Sequence, residues 1–246
     1  MSLVRFPCFV LASLCAFLLI ASSASGAIIS GEVSDIELNS NNTFGMVGAA
    51  GGRAGSSNSN PGGGRNMILV FKLPSDLGAG SFSTVDFQMN MTAKAGSFSY
   101  NADLYALGTQ SIGTLTLGSG ALSLTPYYDS SLDASATLIQ NNMLVPSTAV
   151  GLVHTDTGGD SALTSYLNTI YNNGAGAGLY VVFRLNADAA GSNQVIGYTL
   201  NFADAGGAAV PALTYTFTPV PEPGAAWSFL VAGLSGVFLR RRPGRR

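Results

Sequence analysis

The chain has 246 residues, 31 of them glycine, a formal net charge of −2 and only 10% Asp, Glu, Lys and Arg. Soluble domains ordinarily carry about 25% charged residues, so a highly charged disordered chain and a basic nucleic-acid binder are both excluded. A hydrophobic content of 47% suffices for a core, and Ser, Thr, Asn and Gly must supply most of its cover.

The first element is a leader. Arg5 closes a short positive region, residues 6–20 form an apolar run, and Ala21-Ser22-Ser23-Ala24-Ser25-Gly26-Ala27 is built of small residues. That order is the pattern of a secretory signal peptide. Cleavage after Ala24 or after Ala27 satisfies the small-x-small rule equally, and the leader is drawn here as residues 1–27. Cys8 and Cys15 both lie inside it. The exported body therefore carries no thiol, which excludes disulfides, a cysteine nucleophile and a thiolate metal site.

The body, residues 28–219, holds twelve acids and five bases, a net charge of −7. Six of the eleven basic residues belong to the terminal segments, so a nearly neutral chain conceals an acidic domain that disfavours nucleic acid and anionic lipid. In chain order, a short strand is expected at residues 28–33. The Gly/Ser/Asn tract of residues 39–66 follows as a long flexible loop. Its glycines form no phosphate cradle, because neither Gly-Lys-Ser/Thr nor a helical pattern follows. Residues 68–73 are almost continuously apolar, as in a central strand covered on both faces. Val85, Phe87, Met89 and Met91 then alternate with polar residues, the period of a strand with one buried face. Shorter strands are expected at residues 103–107 and 148–153.

Leu163, Tyr166, Leu167, Ile170 and Tyr171 fall on one helical face, with Asp160 or Ser161 as the N-cap and Gly174 as the stop. Residues 180–185 repeat the central-strand pattern. Tyr198, Leu200 and Phe202, then Leu213, Tyr215 and Phe217, restore the period of two. Many short strands with a single helix predict an all-β domain, one jelly-roll-like β-sandwich with one short helix.

The last 27 residues, 220–246, form a third unit. Val220-Pro221-Glu222-Pro223 precedes a fifteen-residue apolar run, residues 225–239, which ends at Arg240-Arg241-Arg242, with Arg245 and Arg246 beyond. Alternating prolines hold the first part extended and open to an enzyme. The run is short for a membrane span, where about 20 residues are usual, but Gly224 and the flanking arginines lengthen it. By the positive-inside rule the arginines stay cytoplasmic and the body lies outside. This three-part tail resembles the bacterial PEP-CTERM sorting signal. The resemblance implies a transmembrane sorting helix cut by an exosortase-type membrane protease. Pro221, Glu222 and Pro223 would be its recognition element, Arg240, Arg241 and Arg242 the membrane stop, and the tail would be removed or exchanged during export.

A second resemblance lies in Arg65-Asn66-Met67-Ile68-Leu69-Val70-Phe71-Lys72-Leu73-Pro74, which is similar to a strand of secreted jelly-roll domains related to carbohydrate-binding modules. The Asn-Arg-Leu-Arg-Glu signature of one such family is absent, so its ligand is not carried over.

Few residues point to chemistry. His154 is the only histidine and no serine sits in a Gly-x-Ser-x-Gly elbow, which leaves a hydrolase triad without support and His154 as a strand-end residue near a turn. A histidine-rich metal site is impossible with one imidazole. The carboxylates could hold a glycosidase pair, but their separations are not written in the sequence. Asp156-Thr157-Gly158-Gly159-Asp160 and Glu32-x-x-Asp35-x-Glu37 are the acidic clusters, and neither has EF-hand spacing. Asp156 and Asp160 either bind calcium as a cofactor or serve a turn and a helix cap.

Tyr127 and Tyr128, beside Pro126 and Asp129, either form an exposed platform for sugar stacking or pack at an edge. Trp227, in the apolar run, is an interfacial anchor. The expectation is a non-enzymatic protein exported to the bacterial envelope, cell surface or extracellular matrix and transiently anchored in the membrane. Its partners are signal peptidase, an exosortase-type protease and exopolysaccharide, with no nucleic acid. The alternatives are a carbohydrate-binding module for exopolysaccharide and, third, a secreted glycan-active enzyme with two facing acids.

Overall fold

Period-two patterning dominates the body, and strands dominate the fold. The computed structural model describes residues 25–32, 36–39, 44–47, 50–56, 64–110, 136–188, 196–207 and 210–220. Among them the elements run β1 (Ser25–Ser30), β2 (Ile36–Asn39), β3 (Phe44–Val47), β4 (Gly51–Ser56), β5 (Gly64–Lys72), β6 (Gly80–Ala95), β7 (Ala102–Gln110), β8 (Thr137–Leu144) and β9 (Gly151–His154). Then come helix α1 (Thr157–Tyr171), β10 (Tyr180–Ala187), β11 (Ile196–Asn201) and β12 (Ala212–Pro219). The strands form one curled sheet in the order β1-β12-β6-β11-β4-β5-β10-β7-β8, with β2 beside β5, β3 beside β2 and β9 beside β6. Every described pairing is antiparallel.

The long strand β6 is the spine. Gln88 pairs with Ala212 on one edge and with His154 on the other, and Met91 pairs with Leu200 and Gly151 in the same way. Strands β11 and β12 therefore lie end to end along one edge of β6, while β9 takes the opposite edge. Helix α1 serves the rest of that opposite edge with side chains. Asn168 accepts from Phe82 N at 2.7 Å and donates to Phe82 O at 2.8 Å, and Thr164 Oγ1 accepts from Val85 N at 2.9 Å. Thr155 Oγ1 accepts from Phe87 N at 3.0 Å. Backbone groups that would otherwise be buried without partners are thus satisfied without another strand.

The inward face of each alternating strand fills the core. Val85, Phe87, Met89 and Met91 are buried, as are Tyr198, Leu200, Phe202, Leu213, Tyr215 and Phe217. The Phe82 ring meets Tyr171, Tyr215 and Phe217 edge-on at centroid distances of 5.3, 5.2 and 5.4 Å. Such contacts add about 0.5–1.5 kcal/mol each beyond area burial. The largely apolar strands β5 and β10 pair with one another at the centre and are buried on both faces, Arg184 of β10 among them.

Three findings differ from the sequence expectations. Residues 39–66, expected as a flexible loop, contain β3, β4 and the start of β5. The glycines of β4 allow close approach: a Cβ on Gly52 would enter the Phe202 ring, and one on Gly51 would strike Leu200 O. Helix α1 begins at N-cap Asp156, not at Asp160 or Ser161, with Asp156 Oδ1 accepting from Gly159 N at 2.8 Å. Its first turn, Thr157-Gly158-Gly159, has no apolar residue to announce it, and the helix ends at left-handed Asn172, ahead of Gly174. Strand β8 carries no strand period in its sequence, because its buried residues fall in pairs, Ile139-Gln140 and Met143-Leu144, rather than alternating.

Strand β1 runs across the boundary drawn between Ala27 and Ile28. Residues 1–24 of the leader and residues 221–246 of the tail lie outside the described residues. Among the described residues no helix is long and apolar enough to cross a membrane.

Candidate functional site

The front of β6 carries Ser83, Thr84 and Asp86 on its polar face, opposite Thr214 and Thr216 of β12. The first turns of α1 approach from the other side with Asp160, Ser161, Thr164 and Ser165. Together with Gly26 of β1 they line an open groove of about 480 Å³. Hydroxyls cross its floor: Thr216 Oγ1 lies 2.7 Å from Ser83 Oγ and 2.6 Å from Thr84 Oγ1.

A polar chain closes one end. His154 Nδ1 lies 2.9 Å from Asp86 Oδ2. Thr155 Oγ1 lies 2.6 Å from Asp160 Oδ1, against 3.3 Å from Asp86 Oδ1 and 3.4 Å from Phe87 O. One hydroxyl proton serves one short bond, so Thr155 donates to Asp160, and Asp86 is left to accept from His154. That bond fixes the proton on Nδ1 in the neutral imidazole and leaves Nε2 as an acceptor. The His154 and Asp86 side chains are 45% and 30% exposed, so the pair contributes only about 0–1 kcal/mol to stability. Two carboxylates, Asp86 and Asp160, beside a floor of serine and threonine hydroxyls suit a ligand rich in hydroxyls.

Two other charged clusters are structural in their contacts. Glu37 is fully buried, bonded to the Arg65 guanidinium and accepting from Arg53 N at 2.8 Å. Burial pushes its carboxyl above the ordinary range, and the neighbouring Arg65 and the Arg53 N–H only partly pull it back. On β7 and β10, the Arg184 guanidinium lies 5.2 Å from the Tyr105 ring centre. Burial first, and Asp103 second, raise the Asp188 carboxyl.

Of the sequence candidates, Asp156 caps α1 and Asp160 accepts from Thr155, so both carboxylates have protein donors. Among the described residues no group of three or more His, Cys, Asp or Glu side chains is arranged to hold a metal. Tyr127, Tyr128, Pro221, Glu222, Pro223, Arg240, Arg241 and Arg242 lie outside the described residues. His154 stands at the end of β9, and Asp86 and Thr155, which complete its cluster, were not singled out by sequence. Asp86 occupies an ordinary outward position of an alternating strand, and only the register of β9 against β6 reveals the meeting. No protein-family model matches the chain, and no curated protein matches it.

Proposed function

We propose that this chain is an exported, non-enzymatic protein of the bacterial cell surface or extracellular matrix, transiently membrane-anchored and released or retained by an exosortase-type protease. One observation carries the reading: Val220-Pro221-Glu222-Pro223, the apolar residues 225–239 and Arg240-Arg241-Arg242 occur in that order, in a chain whose other end has the leader pattern. The acidic, thiol-free body is consistent with life outside the cytoplasm. Its curled antiparallel sheet fits a jelly-roll-like sandwich. The test is replacement of Pro221, Glu222 and Pro223 by alanine in the exporting cell. Unprocessed chain should accumulate in the membrane, and unchanged processing and surface location would refute the reading.

A second reading, binding of exopolysaccharide, is favoured by the hydroxyl- and carboxylate-lined groove between α1, β6 and β12. Asp86→Ala with Asp160→Ala should abolish polysaccharide retention in affinity electrophoresis if the groove is the site. Loss instead with Tyr127→Ala and Tyr128→Ala would move the site to that pair.

A further inference from the structure

We infer that the leader is cut between Ala24 and Ser25, so that the mature chain keeps Ser25, Gly26 and Ala27 as working parts of its fold. The inference rests on the export reading and settles a choice that the local sequence leaves open, because both bonds present small residues where a leader peptidase needs them.

Strand β1 pairs with β12 through six register positions, from Ser25 opposite Phe217 to Ser30 opposite Ala212. Cutting after Ala27 would remove the pairs to Phe217, Thr216 and Tyr215, half of the ladder. Strand β12 has β6 on its other edge. The lost residues would thus bare the backbone of Tyr215, Thr216 and Phe217 as an open sheet edge, a template for pairing with another chain. The same three residues do more than cover that edge. Ala27 packs against the core, and Gly26 forms part of the groove wall. Cutting after Ala24 leaves every one of these contacts in place. The peptidase meets the chain unfolded and cannot sense the strand. The strand instead marks which residues belong to the domain that the leader delivers.

The full-length precursor, expressed in a bacterium with its own export machinery, is recovered from outside the cytoplasm and its N-terminal peptide is read by mass spectrometry. A mature chain starting at Ser25 is the expected result, and one starting at Ile28, or at any other residue beyond the leader's apolar run, overturns the inference while export itself stands. Recovery of the chain with residues 1–24 still attached in the cytoplasm defeats the export reading instead. In a second arm, Ala24→Leu changes a residue absent from the mature chain, so folding is not at issue. The Ser25 start should be lost, leaving the chain uncut or moving the cut to the bond after Ala27. An N-terminus unchanged by Ala24→Leu would show that the bond after Ala24 is not used.

Discussion

Thr155 does more than its sequence position announces. Its hydroxyl donates to Asp160 and accepts from Phe87 N, joining the start of α1 to the spine strand. Thr155→Val keeps the shape and removes both bonds, leaving a buried N–H without its acceptor. That loss should cost about 1–3 kcal/mol in urea unfolding, whereas Thr155→Ser, which keeps the hydroxyl, should recover most of it. The tyrosines set a second limit. Tyr198 donates to Tyr100 O at 2.9 Å and Tyr171 to Gly78 O at 2.8 Å, and burial, the main cause, raises the pKa of both phenols. A phenolate cannot donate, so the folded state favours the protonated form. The stabilisation is complete below the unfolded value of about pH 10, and it is lost as pH rises through the higher folded values. The tyrosine contribution to the melting temperature should therefore fall only above about pH 10, with phenolate absorbance appearing together with unfolding. Phenolate titrating at the ordinary midpoint in a still-folded chain would contradict this.

At the level of elements, what could be read from the sequence was whatever burial writes into periodicity. Strands β5, β6, β10, β11 and β12 carry Met67 to Phe71, alternate residues from Val85 to Met91, Val181 to Leu185, Tyr198 and Leu200, and alternate residues from Leu213 to Phe217 toward or within the core, and their patterns betray them. Strand β4 has the sequence GGRAGS, which looks like a loop because glycine ordinarily signals freedom. Here closeness to β11 and Phe202 demands it. Gly197 of β11 repeats the lesson, with φ at +136° and a Cβ direction blocked by Ala54 O. Gly197→Ala should cost about 1–3 kcal/mol, while Gly26→Ala, with nothing within 4 Å of the added carbon, should stay within about 0.5 kcal/mol. Comparing the two chemical-denaturation midpoints checks both. The groove was illegible for a related reason: Asp86 lies far in sequence from His154 and Asp160, and it meets them only through the β6–β9 register and the cap that starts α1.

At the scale of the molecule, one spine strand organises nearly everything. Strand β6 gathers β12, β11 and β9 along its length and uses α1 as a substitute neighbour. The acidic charge of the body, twelve acids to five bases, is spread over such surfaces and also appears where Asp86 and Asp160 face the groove. The pairing of the first strand with the last has its own consequence. Ser25 stands opposite Phe217, and a few residues later Val220 N donates to Ala79 O at 2.9 Å. The polypeptide is thus threaded in and out through a single doorway. On the export reading proposed above, cuts made near Ser25 and beyond Val220 would both fall at this one place on the surface, away from the opposite pole of the sheet.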